Sequence, residues 1–439
     1  LSILLSLLAP AYPMKSPDSG GILTPSGLSY FAEVSKPHAE TILRQDLMAP
    51  TDAEVFLGSP EPSSKSQITS VTVSDLSLVI IPHSGLRLSI DVDITASPAP
   101  SNTKELRLAI VADLQVEMNS AGDLELVTSA CKPTLKEKQS SEEVESKSSS
   151  KELDKEINVN KICLEVSKLL LWPNEGLMSL TTPFPITPSC LVQYLPLAAP
   201  VFSEQGITLS LQTTFQVAGM EIPLPVNPMP FSVPEPVSSS SSHLTLAFSE
   251  QFYTNFFFAL EVSGAFNMTI PSQTTTNAMA EKITQMSSLF QEDLPVIMQA
   301  VFRSSAQVTL VESKAALKLF FTIQIGAGSP DFQTILTVNV DVSSRLHLSV
   351  IDTRMKIAVG AIEDVEISLA TSDVGPVPAD LLEELFLPAI REEVPAQVNV
   401  VLSDGAPLPH VFGFTYKDAS VVIHKDYVLV PCNLELELK

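Results

Sequence analysis

A chain of 439 residues with 45% hydrophobic and 17% charged residues has enough apolar side chain for more than one core, and too little charge for a disordered chain. Its formal net charge is −24, and the acidic excess is even: residues 1–236 carry 15 basic and 27 acidic groups, residues 237–439 carry 11 and 23. That balance argues against nucleic acid as a partner and against electrostatic docking on anionic membranes, since both need clustered Lys and Arg.

The chain opens on an apolar run, Leu1 to Ala9, ended by Pro10. The run is too short to span a bilayer and reads as the h-region of a signal peptide, so residues 1–13 are expected to be a partial signal and the protein secreted and extracellular. No other stretch has the length of a transmembrane helix. Thr24-Pro25 is a cap followed by proline in the first turn, and it predicts a helix over residues 26–47. Leu86, Leu88, Ile90, Val92 and Ile94 then alternate with polar residues, as do Leu108 to Met118 and Ile207 to Val217. Period-two alternation means strands with one dry and one wet face. Residues 133–151 mix charge and serine without apolar period and read as a solvated loop. Leu153, Ile157, Ile162, Val166, Leu169 and Leu170 stand near helical spacing over residues 151–172. Residues 223–242 hold six prolines and end in a serine run, which predicts an extended linker.

Beyond it, the aromatic run Phe252, Tyr253, Phe256, Phe257 and Phe258 could line a pocket or fill a core, and core is favoured. Helices are predicted over residues 276–302 and 378–402, and strands over 317–325, 336–342 and the closing Leu434 to Lys439. Pro37, Pro295, Pro388 and Pro395 are expected to kink or split three of the helices. Glu363, Asp364 and Glu366 face away from Ile362, Val365 and Ile367, and read as a strand's wet face rather than a calcium site. The same order of elements on both sides of the linker predicts an internal repeat: an N-terminal domain of residues 18–222 and a C-terminal domain of residues 243–439.

Catalytic signatures are missing from the sequence. None of the six histidines has metal-ligand spacing, and neither a G-x-S-x-G elbow nor a phosphate-binding loop occurs. The expectation is a protein that is no enzyme and holds no metal. Its four cysteines (Cys131, Cys163, Cys190 and Cys432) form no C-x-x-C, and in a secreted chain the default is two disulfides. Asn267-Met268-Thr269 is a sequon, which makes Asn267 a glycosylation candidate.

Five segments, in order, resemble the family of bactericidal/permeability-increasing protein, lipopolysaccharide-binding protein, cholesteryl ester transfer protein and the PLUNC proteins. They are Gly27-Leu28-Ser29-Tyr30, Ile80 to Ile90 with its Pro82 and Gly85-Leu86, Leu246 to Tyr253, Asp373 to Leu382, and Gly405 to Pro409. The resemblance implies an α+β fold shaped like a boomerang. Each half would be a twisted antiparallel barrel packed on long helices, a central sheet would join the halves, and each half would hold an apolar pocket for phospholipid-like acyl chains. It also implies that Cys131 pairs with Cys163, which leaves Cys190 and Cys432 as a second pair.

The chain departs from the family's endotoxin binders in its acidity. Asp52, Glu54 and Glu61 stand near only Lys65, and Lys132, Lys136 and Lys138 are interleaved with glutamates, so neither region makes a phosphate patch. Lipid is therefore expected at the helix–sheet seam of the first half: Leu28, Phe31 and Ile42 on the first helix, Leu86, Leu88 and Ile90 on a strand, and Val166 and Leu170 on the second helix. Expected partners are lipids, with bacterial surface lipids as one source and endotoxin binding or a purely structural role as the alternatives. No cofactor is implied beyond a bound phospholipid or fatty acyl ligand.

Overall fold

The structure is a computed structural model that describes residues 16–48, 67–97, 104–137, 159–171, 177, 179–225, 231–235, 242–328 and 331–437. The signal segment 1–13, the acidic stretch with Asp52, Glu54, Glu61 and Lys65, the charged stretch from Lys138 to residue 158, and parts of the linker lie outside the described residues.

Strand β1 (Ser19–Leu23) leads into helix α1 (Pro25–Met48), and Thr24 caps it by accepting the Gly27 N–H at 3.2 Å. A four-stranded antiparallel meander follows: β2 (Gln67–Ile81), β3 (Gly85–Ser97), β4 (Lys104–Met118) and β5 (Leu124–Glu137). Its alternating residues Leu86, Leu88, Ile90, Val92 and Ile94 are all buried. Helix α2 (Val159–Leu164) and a 3-10 turn (Val166–Leu169) then close over β5 and α1.

The central sheet takes strands from both sides of the linker. From the first side come β1, β6 (Phe184–Thr187), β7 (Cys190–Pro196), β8 (Val201–Ser203), β9 (Gly206–Val217) and β10 (Met220–Glu221). From the second side come β11 (Leu244–Ser249) and, at the end of the chain, β18 (Phe414–Lys417), β19 (Val422–His424) and β20 (Tyr427–Leu436). Strand β1 lies antiparallel between β9 and β11, so five residues at the N-terminus stitch the two sides together.

The second lobe repeats the plan. Helix α3 (Glu250–Val262) is followed by β12 (Met268–Thr275), α4 (Thr276–Lys282), and the long strands β13 (Pro295–Val311), β14 (Lys314–Ala327), β15 (Gln333–Ile351) and β16 (Arg354–Ser372). Helix α5 (Ala379–Val401) lies on β12 and β16, and β17 (Ala406–Pro407) completes a six-stranded sheet. These curled antiparallel sheets are the walls expected of each half.

Several expectations are corrected. The helix expected over residues 276–302 ends at Lys282; a 3-10 turn (Thr284–Ser288) follows, and from Pro295 the chain is strand. Met279, Ile283 and Met286 keep helical spacing, but Val296, Met298 and Ala300 are buried in alternation. Pro37, Pro388 and Pro395 sit inside α1 and α5 without splitting them. The helix expected over residues 151–172 is reduced to α2 and its 3-10 turn among the described residues. Residues 133–137, expected as loop, extend β5. Helix α3 was not expected at all. Ser249 caps it by accepting the Phe252 N–H, and its buried Phe252, Tyr253, Phe256, Phe257 and Leu260 follow i, i+3, i+4 spacing.

Cys131 and Cys163 form a disulfide. Cys190 and Cys432, expected as a second pair, are free and buried. Cys190 is on β7 and Cys432 on β20, with β9, β1 and β11 between them in the sheet. Four strand spacings of about 4.8 Å give a path of about 19 Å, far beyond the Cα separation a disulfide tolerates.

Candidate functional site

The Gly27-Leu28-Ser29-Tyr30 segment shows how the site is assembled. A side chain at Gly27 would put its Cβ 2.2 Å from the His243 carbonyl oxygen, so glycine lets α1 touch the start of β11. Tyr30 stacks on the His243 ring at 4.8 Å and accepts the Leu436 N–H at 3.1 Å. Helix α1 is thereby fixed against the central sheet with Leu28 and Phe31 facing inward. Between them lies a cavity of ≈ 150 Å³.

Its wall comes from several parts of the chain. Leu28 and Phe31 enter from α1, and Leu78 and Leu86 from β2 and β3. Val116, Leu124 and Leu126 come from β4 and β5, and Leu170, Leu177 and Leu180 from the chain after the 3-10 turn. The floor is the central sheet, with Leu209 and Leu211 of β9, Leu244 and Leu246 of β11, and Leu434 of β20. The segment Pro409 to Tyr416 closes one side. Of the side chains in this wall only His410 and Tyr416 carry a heteroatom. The Tyr416 hydroxyl donates to the Pro409 carbonyl, and the Leu408 carbonyl accepts from His410 Nδ1 at 2.9 Å. Burial pushes the imidazole below its ordinary range.

Of the eight seam residues singled out from the sequence, Leu28, Phe31, Leu86 and Leu170 line the cavity. Leu88, Ile90 and Val166 are buried in the same apolar cluster away from the wall, and Ile42 packs against it half-buried. Sequence reasoning missed the floor and the segment 409–416. The alternation over residues 207–217 marks β9 as a strand, but nothing local says that β9, β11 and β20 meet under α1.

In the second lobe the aromatic rings on and around α3 pack against one another. Phe256 meets Phe257, which stacks on Phe266, which meets Phe302 and then Phe321, with centroids 4.8–6.0 Å apart. The aromatic run of α3 is thus core, with Phe252, Tyr253, Phe256 and Phe257 almost wholly buried. Asn267 is exposed just ahead of β12. Glu363, Asp364 and Glu366 are exposed on β16, and no group of three metal-ligating side chains occurs among the described residues. No described helix is long and apolar enough to cross a membrane.

Comparison with known proteins agrees with this architecture. The sequence model described as LBP / BPI / CETP family, C-terminal domain, matches residues 187–436. Protein TENP of Gallus gallus is 57% identical over 99% of both chains. BPI fold-containing family B member 2 of Homo sapiens is 26% identical over 99% of this chain and 98% of its own. The crystal structure of lipopolysaccharide binding protein superposes with a TM-score of 0.53 at 17% identity, covering 96% of this chain and all of that one, which shows a shared fold. A family match over more than half the chain and a relative of this identity carry one conclusion: the chain belongs to the LBP/BPI/CETP family.

Proposed function

We propose that this protein is a secreted, non-enzymatic lipid carrier that holds one acyl chain in the first-lobe cavity. The observation that carries the reading is the cavity itself: about 150 Å³ with a wall of carbon and two polar side chains, His410 and Tyr416. An engineered apolar cavity of this size in another protein stays dry and takes up small apolar molecules. Each methylene buried there contributes roughly 0.8 kcal/mol. The family's association with lipid supports the same reading, and the exposed sequon at Asn267 fits secretion. A host-defence role would act through the acyl chains of bacterial surface lipids rather than through their phosphates.

The test is native mass spectrometry of the purified protein after exposure to phosphatidylcholine vesicles, alongside Leu126→Phe and Leu180→Phe, which fill the cavity from two sides. The wild type is expected to carry one lipid per chain, and the two variants to carry little while melting no lower than about 1–3 kcal/mol of overpacking would allow. A wild type that stays empty, or variants that load equally, would remove the cavity as the site.

A further inference from the structure

We propose, on the footing of the secreted reading, that an N-linked glycan on Asn267 is seated on the protein, its first sugar lying across three exposed valines of the second lobe. Asn267-Met268-Thr269 is the acceptor pattern for such a glycan. Asn267 and Thr269 are exposed while Met268 between them is buried, so the folded lobe has room for a sugar on the asparagine. In the transfer the Asn267 amide nitrogen gives up one hydrogen and bonds the anomeric carbon of N-acetylglucosamine. The lipid diphosphate that carried the oligosaccharide leaves with the electron pair of the broken C–O bond and takes up the proton.

The seat follows from strand register and from what packs beside β12. Met268 pairs with Ala300 and Thr269 with Gln299 across β12 and β13. The first pair is buried and the second exposed, so Asn267 and Val301, the next residues outward, share the exposed face. Residues opposite one another in such a pair stand with Cβ atoms about 5 Å apart. Asn267 also leans back on the turn after α3: its N–H donates to the Gly264 carbonyl, and its side-chain nitrogen lies 3.4 Å from where a Gly264 Cβ would stand. Val262 ends α3 two residues before that glycine. The third valine comes from α5. Lys282, at the end of the helix that follows β12, meets Glu384 near the start of α5, and Gln397 near its end donates to the Thr269 carbonyl at 2.9 Å. Helix α5 therefore runs antiparallel to β12, and Val400, one turn past Gln397, lies towards Asn267. Asn399 binds Val359 of β16 on the other flank of α5, which leaves Val400 on the β12 side. Val262, Val301 and Val400 are 46%, 45% and 73% exposed. One exposed valine needs no explanation. Three around one sequon make an apolar floor, and the C–H face of a pyranose and its acetamide methyl are the matching cover, since both sides then leave water.

The experiment uses the full chain secreted from animal cells behind a complete signal peptide, with high-mannose glycans. Hydrogen exchange by mass spectrometry is followed in peptides covering residues 262–270 and 299–302. Protein with the intact glycan and protein trimmed by endoglycosidase to the first sugar should exchange alike. Both should exchange about fivefold more slowly than Asn267→Gln, as expected when a modest contact must break before the segment opens. Thr269→Ala keeps the asparagine but removes the acceptor pattern, and should match Asn267→Gln. Val301→Thr keeps the β-branched shape on an exposed strand position and should shrink the glycan's effect to less than twofold. Asn267 found unmodified in the secreted protein, or equal exchange with and without the sugar, overturns the inference and leaves secretion in place. A glycan effect that survives Val301→Thr combined with Val400→Thr removes the valines as its seat. If the folded chain is held inside the cells, the secreted reading falls and takes this inference with it.

Discussion

Asp18 stands just ahead of β1, where the two sides of the central sheet are stitched together, and its carboxylate is buried. Its Oδ1 accepts from the Thr213 N–H at 2.9 Å, the Thr213 hydroxyl at 2.8 Å and the Ser19 hydroxyl at 3.1 Å. Those bonds favour the charged form, but desolvation outweighs them and pushes the carboxyl up to about 6. The folded protein therefore holds this proton more tightly than the unfolded chain, whose aspartates titrate near 3.9. The stabilisation is complete below about pH 4 and is lost as pH rises through about 6, on the order of 3 kcal/mol in all. Asp18→Asn keeps the accepting oxygen and removes the titration. Urea unfolding should find the variant close to wild type near pH 4 and more stable at neutral pH. Parallel stability curves for the two proteins would rule Asp18 out as the source of such a slope.

Among the elements, the stretch from β5 to the 3-10 turn governs the cavity's outer wall. The Cys131–Cys163 disulfide ties β5 to α2 across a sequence separation of 32 residues, and Leu170 enters the wall seven positions later. Replacing both cysteines by alanine should lower stability by about 3–4 kcal/mol in the chain-entropy account. Lipid loading should fall with it. Cys190 and Cys432 behave oppositely: burial pushes their thiols up to about 11 and about 12. Iodoacetamide should label neither in the native protein and both in denaturant, and a native mixed labelling pattern would contradict the buried, free state. The elements that could be read from the sequence were those with an unambiguous period or cap: α1 from Thr24-Pro25, β3 and β4 from strict alternation, α5 from its spacing. The failures at α3 and β13 share one cause. Aromatic-rich or short apolar segments satisfy both periods, and tertiary contacts choose between them. The cavity could be read only in part, because side chains facing a void and side chains facing a core have the same chemistry.

On the scale of the whole molecule, the sequence divides at the linker but the cores do not. Phe184, Tyr194 and Phe215 precede the linker and belong to the second lobe's cluster, while Phe414 follows it and belongs to the first. We propose residues 18–222 and 243–439 as halves of sequence rather than as independent folding units. Residues 16–242 expressed alone should lose the floor strands β11 and β20 and fail to give a cooperative melt.

The distribution of charge is a second property of the whole. Several cations of the described surface face carboxylates: Arg87 meets Asp113 at 2.8 Å, Arg107 meets Asp93 at 3.2 Å, Lys417 meets Glu435 at 3.1 Å, and Lys314 and Arg345 share Glu363. Such exposed pairs add little stability, but they occupy cations that a phosphate would need. With a net charge of −24, the field within about one Debye length of the surface, ~8 Å in physiological salt, is repulsive to an anionic headgroup. Binding to lipid A vesicles measured by calorimetry should therefore be weak at physiological salt, and added salt should strengthen it or leave it unchanged. A cationic site would give the reverse, because salt weakens attraction between opposite charges. Tight binding that decays as salt is raised would mean that a local basic patch overrides the net charge. It would also move bacterial surface recognition from the acyl chains in the first-lobe cavity to the headgroups outside it.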